Sequence, residues 1–327
     1  MECGKNIVIL GTGGTIAGVA EDAGASVGYK PAQLGIAQLL QAVPDLQRLA
    51  GAALQAEQLA QLDSKDMDHA TWRLLAQRCA ELLARENVGA IVITHGTDTL
   101  EETAWFLQCV LAPAKPVVLT CAMRPASAVS ADGPGNLRDA VACAAHDRAA
   151  GRGVLAVMQG QVFAARQVSK THPYRVDAFD GGEAGPLGWI EEGRVRWAAA
   201  AAQQAAQSLP PATALPEAEH WPQVELLSSH AGCSTAVALA QVQALCAAGV
   251  RGLVVAGTGN GTTHKALDVA LDHAQAQGLA VRRTTRCARG RVVQAQGADD
   301  SRVSALPAVK ARISLMLELM GWPRTDR

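Results

Sequence analysis

Several things are scarce in this chain of 327 residues, and each shortage excludes a class of protein. Aromatic residues make up only 3%, so a hydrophobic content of 49% reflects alanine more than aromatics, which suits helices packed on a small-residue sheet. Charge of one sign is lacking too, with a formal net charge of −1. Without clustered positive charge to displace phosphate counterions, nucleic acid is not an expected partner. No apolar run approaches the roughly 20 residues of a membrane span, so no membrane partner is expected. The run at 7–10 is too short for a signal-peptide core, and a cytoplasmic location is the expectation. Cysteines number eight but never form a C-x-x-C pair, which argues against a zinc or redox framework and for reduced, structural thiols. Cys79, Cys109, Cys143 and Cys246 fall in Ala/Leu-rich stretches, where a thiol behaves as a small apolar group. The histidines are dispersed without metal-ligand spacing, so no metal is expected.

What is present is an alternation of short apolar runs with helical patterns. Strands are read at 6–10, 90–94, 117–121 and 154–158, and helices near 31–41 and at 71–85, 100–111 and 136–150. Trp72, Leu75, Ala76, Cys79, Leu82 and Leu83 recur at the spacing that lines one helical face. Such alternation predicts an α/β fold: a larger N-terminal domain with a mainly parallel sheet flanked by helices, plus a smaller C-terminal α/β domain. The length supports two domains better than one. An Ala/Gln-rich and then Pro-rich stretch reads as a linker over 201–222, between a catalytic domain at 1–200 and a second domain at 223–327. In the latter, strands at 224–227, 250–256 and 280–284 alternate with helices at 234–247, 263–277 and 308–319. The basic concentration Arg282, Arg283, Arg286, Arg289 and Arg291 is read as a solvated or subunit-contact segment.

Two threonine-bearing loops stand out. Ile7-Val8-Ile9-Leu10 runs into Gly11-Thr12-Gly13-Gly14-Thr15-Ile16-Ala17-Gly18, and Ile91-Val92-Ile93-Thr94 into His95-Gly96-Thr97-Asp98-Thr99. Each places a hydroxyl at a strand's carboxyl end, where open α/β sheets bind ligands. The first loop lacks the G-x-G-x-x-G spacing, the following acidic residue and any Gly-Lys-Ser/Thr, so neither a dinucleotide site nor a P-loop is supported. A threonine hydroxyl is a poor nucleophile unless a neighbour takes its proton, and Tyr29, beyond the flexible-looking segment 18–28, is a candidate from a lid. In the second loop Asp98 adjoins Thr97, and a lysine nearby would complete a proton relay, for which Lys170 is the candidate. Thr99-Leu100-Glu101-Glu102 reads as a capping box. His95 is read as a loop-supporting hydrogen-bond group.

Together the two loops resemble the signatures of the bacterial-type L-asparaginases. The resemblance continues through Ala42-Val43-Pro44, Asp63-Ser64-Lys65-Asp66-Met67, Cys121-Ala122-Met123-Arg124-Pro125, Ser130-Ala131-Asp132-Gly133-Pro134, Gly185-Pro186-Leu187-Gly188 and Gly257-Thr258-Gly259-Asn260-Gly261. It implies hydrolysis of L-asparagine to L-aspartate and ammonia through an acyl-enzyme, without cofactor. By matching position it implies Thr15 as nucleophile, Tyr29 assisting it, and Thr97, Asp98 and Lys170 as relay. Substrate binding would fall to Gly14, Ser64, Gly96, Thr97, Asp98, Ala122 and Asn260: Asp98 on the ammonium, Ser64 on the α-carboxylate, the Ala122 backbone on the amide and Asn260 reaching into a partner's site. A homotetramer built as a dimer of dimers is implied. Lys65 stands where exported members often carry Gln or Glu facing the ammonium, and a cation there would repel substrate unless it turns away or pairs with an acid. With no glutamate in 289–296 to match the one a neighbouring subunit contributes in the family, glutamine is expected to be handled poorly. A mixed glutaminase-asparaginase is the nearest alternative; a nucleotide-binding dehydrogenase and a non-catalytic amino-acid sensor are alternatives of other classes.

Overall fold

The computed structural model describes residues 5–22, 27–198, 209–298 and 300–326, which divide into two compact units, Met1–Leu215 and Pro216–Arg327. In the first, chain order runs β1 (Asn6–Gly13), α1 (Ile36–Gln41), α2 (Leu46–Ala50), β2 (Leu54–Leu62), α3 (His69–Ala84), β3 (Val88–Thr94), α4 (Leu100–Leu111), β4 (Val117–Thr120), α5 (Gly133–Ala145), β5 (Val154–Met158), β6 (Gln161–Ala164), β7 (Ser169–Lys170), β8 (Phe179–Asp180), β9 (Gly188–Glu191) and β10 (Arg194–Trp197). The main sheet has the order β10-β9-β6-β5-β4-β3-β1-β2. Pairing is parallel from β2 to β5 and antiparallel from β5 to β10.

Every residue of β3 is buried, because helices cover both faces of a parallel sheet and demand a continuous apolar strand. One face packs Ile7, Ile9, Val92, Val118 and Leu155 against Leu137, Ala140 and Val141 of α5. Between α3 and α4, Trp72 and Phe106 stack with centroids 5.0 Å apart. The strand β2 was not assigned from sequence. Its Gln/Glu/Ala/Leu composition favours helix, but at the sheet's edge it needs few buried side chains and adds a ladder to β1. The antiparallel extension has no sequence signature either, because β6, β9 and β10 are four residues each, too short to show a period. Its hairpins turn through Gln159-Gly160 and Glu192-Gly193, all with positive φ, as a two-residue turn requires. Two helix limits differ from expectation: α1 begins only at Ile36, and α5 starts three residues earlier and ends at Ala145, where His146 turns extended.

Residues 201–208 of the expected linker lie outside the described residues. From 209 onward two short 3-10 turns follow, with Ala212 and Leu215 buried in the first unit and Trp221 buried in the second.

The second unit has β11 (Val224–Ser228), α6 (Thr235–Ala247), β12 (Gly252–Gly257), α7 (Lys265–Ala276), β13 (Ala280–Thr285) and α8 (Ala308–Leu319), with a parallel sheet in the order β11-β12-β13. Here the reading of the arginine cluster as solvated needs correction. Arg282 on β13 is buried, pairs with Glu318 and lies 3.3 Å from buried Asp326, which Arg324 also holds at 2.5 Å. Buried charges persist only when paired, so this group pins the carboxyl-terminal segment onto the sheet. Arg283 pairs with Asp300 at 2.7 Å, while Arg286, Arg289 and Arg291 are exposed.

Candidate active site

The site grows from the strand order. β1 and β3 are neighbours, and from them the chain proceeds outward to β2 on one side and β4 on the other. That reversal opens a crevice at the carboxyl ends of β1 and β3, from which both threonine loops emerge.

Gly13 and Gly14 turn the first loop with φ of 102° and 81°, values that penalise any residue with a Cβ. A 3-10 turn over Thr15–Ala17 follows and presents Thr15. A Cβ on Gly14 would overlap the Gly96 backbone, and one on Gly96 would overlap the side chain of Ser64. Three loops, following β1, β2 and β3, therefore meet with no room for a methyl group. Ser64, itself buried, accepts a hydrogen bond from the Asp98 N–H at 3.2 Å and through its carbonyl one from the Thr99 hydroxyl at 2.7 Å. This corrects the capping-box reading: Thr99 makes no side-chain cap to α4 and spends its hydroxyl on the neighbouring loop.

Lys170, contributed by the β7–β8 hairpin, donates from Nζ to Asp98 Oδ1 at 2.6 Å and to Thr97 Oγ1 at 2.9 Å. Thr97 Oγ1 is 3.4 Å from Asp98 Oδ1, a long contact, so the amine is the group in close touch with that hydroxyl. Its ammonium form occupies a lone pair of Thr97, whereas its neutral form can receive the Thr97 proton. In the first loop Tyr29 Oη and Thr15 Oγ1 are 2.6 Å apart. Burial pushes the Tyr29 phenol up, the Thr15 hydrogen bond opposes this, and the Asp63 and Asp98 carboxylates push it further up. It is thus a neutral phenol near pH 7, able to donate to Thr15 or accept from it.

Lys65 meets the condition set by its charge. Its Nζ is 2.7 Å from Asp63 and 3.1 Å from Asp66, two acids flanking Ser64 on the same turn. Around Tyr29, the Val19 and Lys30 backbones bond to each other in both directions, Ala126 N–H donates to Gly18 O, and Ala20 N–H donates to Ser127. The ends of the expected lid are therefore anchored; residues 23–26 of it lie outside the described residues. Ala122, just past β4, is fully buried. Asn260 sits in the second unit, where its amide donates to Val293 O at 2.8 Å and accepts from Val293 N–H at 2.7 Å.

Sequence reasoning gave His95 a supporting role without its partners. Trp72 Nε1–H can only donate, and it lies 2.9 Å from Thr103 Oγ1. Thr103 in turn gives its proton to His95 Nε2 at 2.9 Å, leaving Nδ1–H to donate to Gly96 O at 2.7 Å. The chain of bonds fixes the neutral tautomer and holds the carbonyl that precedes Thr97. Burial pushes the His95 imidazole down to about 4. The folded value lies below the unfolded value near 6.5, so this contribution to stability is fully present above about pH 6.5 and is lost as pH falls toward 4, at up to about 1.4 kcal/mol per pH unit. Urea unfolding between pH 7 and 4.5 should accordingly show a shallower loss of stability in His95→Gln than in the wild type. Parallel losses would contradict the buried, neutral assignment.

Among the described residues no group of three or more His, Cys, Asp or Glu side chains is arranged to hold a metal ion, and no helix is long and apolar enough to cross a membrane. A doubly wound sheet with two hydroxyls at its switch point, one beside a phenol and one beside an amine and a carboxylate, defines an α/β hydrolytic enzyme. The chain belongs to the asparaginase family: residues 6–203 match the family model of the asparaginase N-terminal domain and residues 223–322 that of the glutaminase/asparaginase C-terminal domain. It is 37% identical to the glutaminase-asparaginase of Pseudomonas fluorescens biotype A over 320 residues, covering 96% of this chain and 86% of that protein. It is likewise 37% identical to L-asparaginase 2 of Escherichia coli strain K12 over 319 residues, covering 96% and 88%. The crystal structure of a probable cytoplasmic L-asparaginase from Campylobacter jejuni superposes with a TM-score of 0.86 at 37% identity, covering 99% of this chain and 96% of that one.

Proposed function

We propose that this enzyme hydrolyses the side-chain amide of L-asparagine to L-aspartate and ammonia through a threonine acyl-enzyme. Thr15 Oγ1 attacks the amide carbon as its proton passes to Tyr29 Oη, which in the same step gives its own phenolic proton to the amide nitrogen, and the tetrahedral intermediate collapses as the C–N bond breaks and ammonia leaves. Water then attacks the ester, helped by the Thr97-Asp98-Lys170 set, and aspartate leaves with Thr15 restored. Asp98 also pairs with the substrate ammonium and Ser64 with its α-carboxylate. The Gly14 N–H is committed to Leu62 O at 2.9 Å, so we assign the developing oxyanion to the neighbouring backbone N–H groups of the glycine turn and of the Thr97 loop, usually the largest single contribution in acyl transfer. The observation that carries this reading is the placement of Lys170 Nζ within 2.9 Å of the Thr97 hydroxyl and 2.6 Å of Asp98. An amine so placed serves a hydroxyl or water that must lose a proton.

A mixed glutaminase-asparaginase is favoured by the Pseudomonas fluorescens relative, which carries that name. Ammonia release from L-asparagine and from L-glutamine separates the two. We expect asparagine to be turned over and glutamine to lag by at least about tenfold in kcat/KM, a step of 1.4 kcal/mol. Equal rates would establish the mixed activity, and no ammonia from either amide would refute the reading. A homotetramer of two intimate dimers, with Asn260 facing a partner's site, and a cytoplasmic location like that named for the Campylobacter jejuni protein belong to the same proposal.

A further inference from the structure

Thr15 and Thr97 each stand three residues beyond another threonine at the carboxyl end of a strand, Thr12 on β1 and Thr94 on β3. These two earlier residues are bonded to one another: the buried Thr12 hydroxyl donates to Thr94 O at 2.8 Å. The backbone register of β1 on β3 ends one residue earlier, where Gly11 faces Thr94. Between Gly11 and Gly13 the strand shifts its register on β2, Gly13 then faces Leu62, and the Gly14 N–H donates to Leu62 O at 2.9 Å. Past Gly11 the chain therefore leans toward β2, and the Thr12 side chain carries on the link to β3. Two residues further the loops touch again, since a Cβ on Gly14 would lie 2.3 Å from Gly96 Cα and 2.4 Å from Gly96 N. The two loops are thus matched position for position, by a hydrogen bond at the third residue before each threonine and by backbone contact at the residue directly before it. On the far side of β3 the sheet holds firm: the His95 N–H donates to Thr120 O at 2.8 Å, and the Thr120 hydroxyl donates to Val157 O at 2.8 Å. A packing contact between glycine backbones has little directionality, whereas a hydrogen bond weakens steeply as its angle opens. Thr12 is the directional part of the match.

We infer that Thr12 is a positioning residue for the reaction: its hydroxyl keys the loop bearing Thr15 to the loop bearing Thr97, so that nucleophile and relay address one amide carbon. This rests on the asparaginase reading above. A β-branched side chain is stiff about χ1, so Thr15 Oγ1 moves with its backbone and a slip of the loop is a slip of the nucleophile. A misplacement of about 1 Å costs on the order of 10²-fold in rate. The groups assigned to the charged ends of the substrate, Asp98 and Ser64, lie on the loops after β3 and β2. Binding should therefore outlast the loss of the Thr12 hydroxyl, and catalysis should not.

The test compares Thr12→Val, which keeps the shape and removes the donor, with Thr12→Ser, which keeps the donor. In Thr12→Val, kcat/KM for L-asparagine should fall at least about tenfold, with the loss mainly in kcat, while Thr12→Ser stays within about threefold of the wild type. The dissociation constant of the product L-aspartate, read by calorimetry, should stay within about threefold in both. Aspartate affinity that falls in step with the rate would show a general structural role. Wild-type kinetics in Thr12→Val, or a Thr12→Ser as impaired as Thr12→Val, would show that the hydroxyl positions nothing. Each of these results overturns the inference. Should Thr12→Val fail to fold, the same comparison decides with Thr12→Ala, which sets no methyl group against the Thr94 carbonyl. A wild type that releases no ammonia from L-asparagine would instead sink the functional reading, so the two failures are distinguishable.

Discussion

Replacing Thr15 by alanine is expected to lower kcat for L-asparagine by about four orders of magnitude or more while KM stays within a few fold. A nucleophile acts as a unit with its base, and its removal elsewhere costs on the order of 10⁶ in kcat, with residual rate supplied by binding and oxyanion contacts. Here the unit is Thr15 with Tyr29, whose oxygens are 2.6 Å apart. The substrate's charged groups are bound by Asp98 and Ser64 in this reading, so binding should survive the loss of a methyl-bearing hydroxyl. Ammonia assays under saturating substrate measure the effect directly, and Thr15→Ser should retain far more activity than Thr15→Ala. Full turnover by Thr15→Ala would move the nucleophile elsewhere, with Thr97 the next residue to examine.

For Lys170→Met, a fall in kcat of about 10²–10⁴ is expected, the usual contribution of a positioned proton-transfer group. Methionine keeps the length of the side chain and loses the amine that contacts both Thr97 Oγ1 and Asp98 Oδ1. Arginine should not rescue it, because a guanidinium cannot give up its proton at any pH of interest and carries its donors in a planar fork. Rapid-quench detection of the acyl-enzyme locates the defect: if the relay serves water attack, the intermediate accumulates on Thr15 in Lys170→Met. A variant within a few fold of the wild type would reduce Lys170 to a structural ion pair.

How far these residues could be read beforehand differs from one to the next. Thr15, Thr97 and Asp98 follow apolar runs and announce themselves by position, because a buried parallel strand must be apolar and its carboxyl end is where polar chemistry can begin. Lys170 is 72 residues from Asp98 and sits on a two-residue strand with no pattern of its own. It is a candidate only for the proton chemistry the second loop requires, a role the resemblance repeats, and the β7–β8 hairpin is what brings it to the loop. Thr99 illustrates a local pattern overruled, since the hydroxyl that could cap α4 finds Ser64 from another loop. Arg282 is the converse: a charge in an exposed-looking cluster becomes buried because acids near the carboxyl terminus, 36 and 44 residues on, fold back over it.

By itself the sequence determined the alternation of strands and helices, the α/β class and the two loops, since these depend on periodicity and on glycines within short windows. Segments such as β5, α4 and α8, where apolar content alone fixes the element, coincide with their expected limits. Tertiary structure decided the rest: that β2 is an edge strand despite helix-forming residues, that Ser64 and Lys170 reach the second loop, and that Trp72 and Thr103 fix the tautomer of His95. The physical reason is common to them all. Burial and hydrogen-bond partnership are properties of residues brought together from distant parts of the chain, and no local window contains both partners.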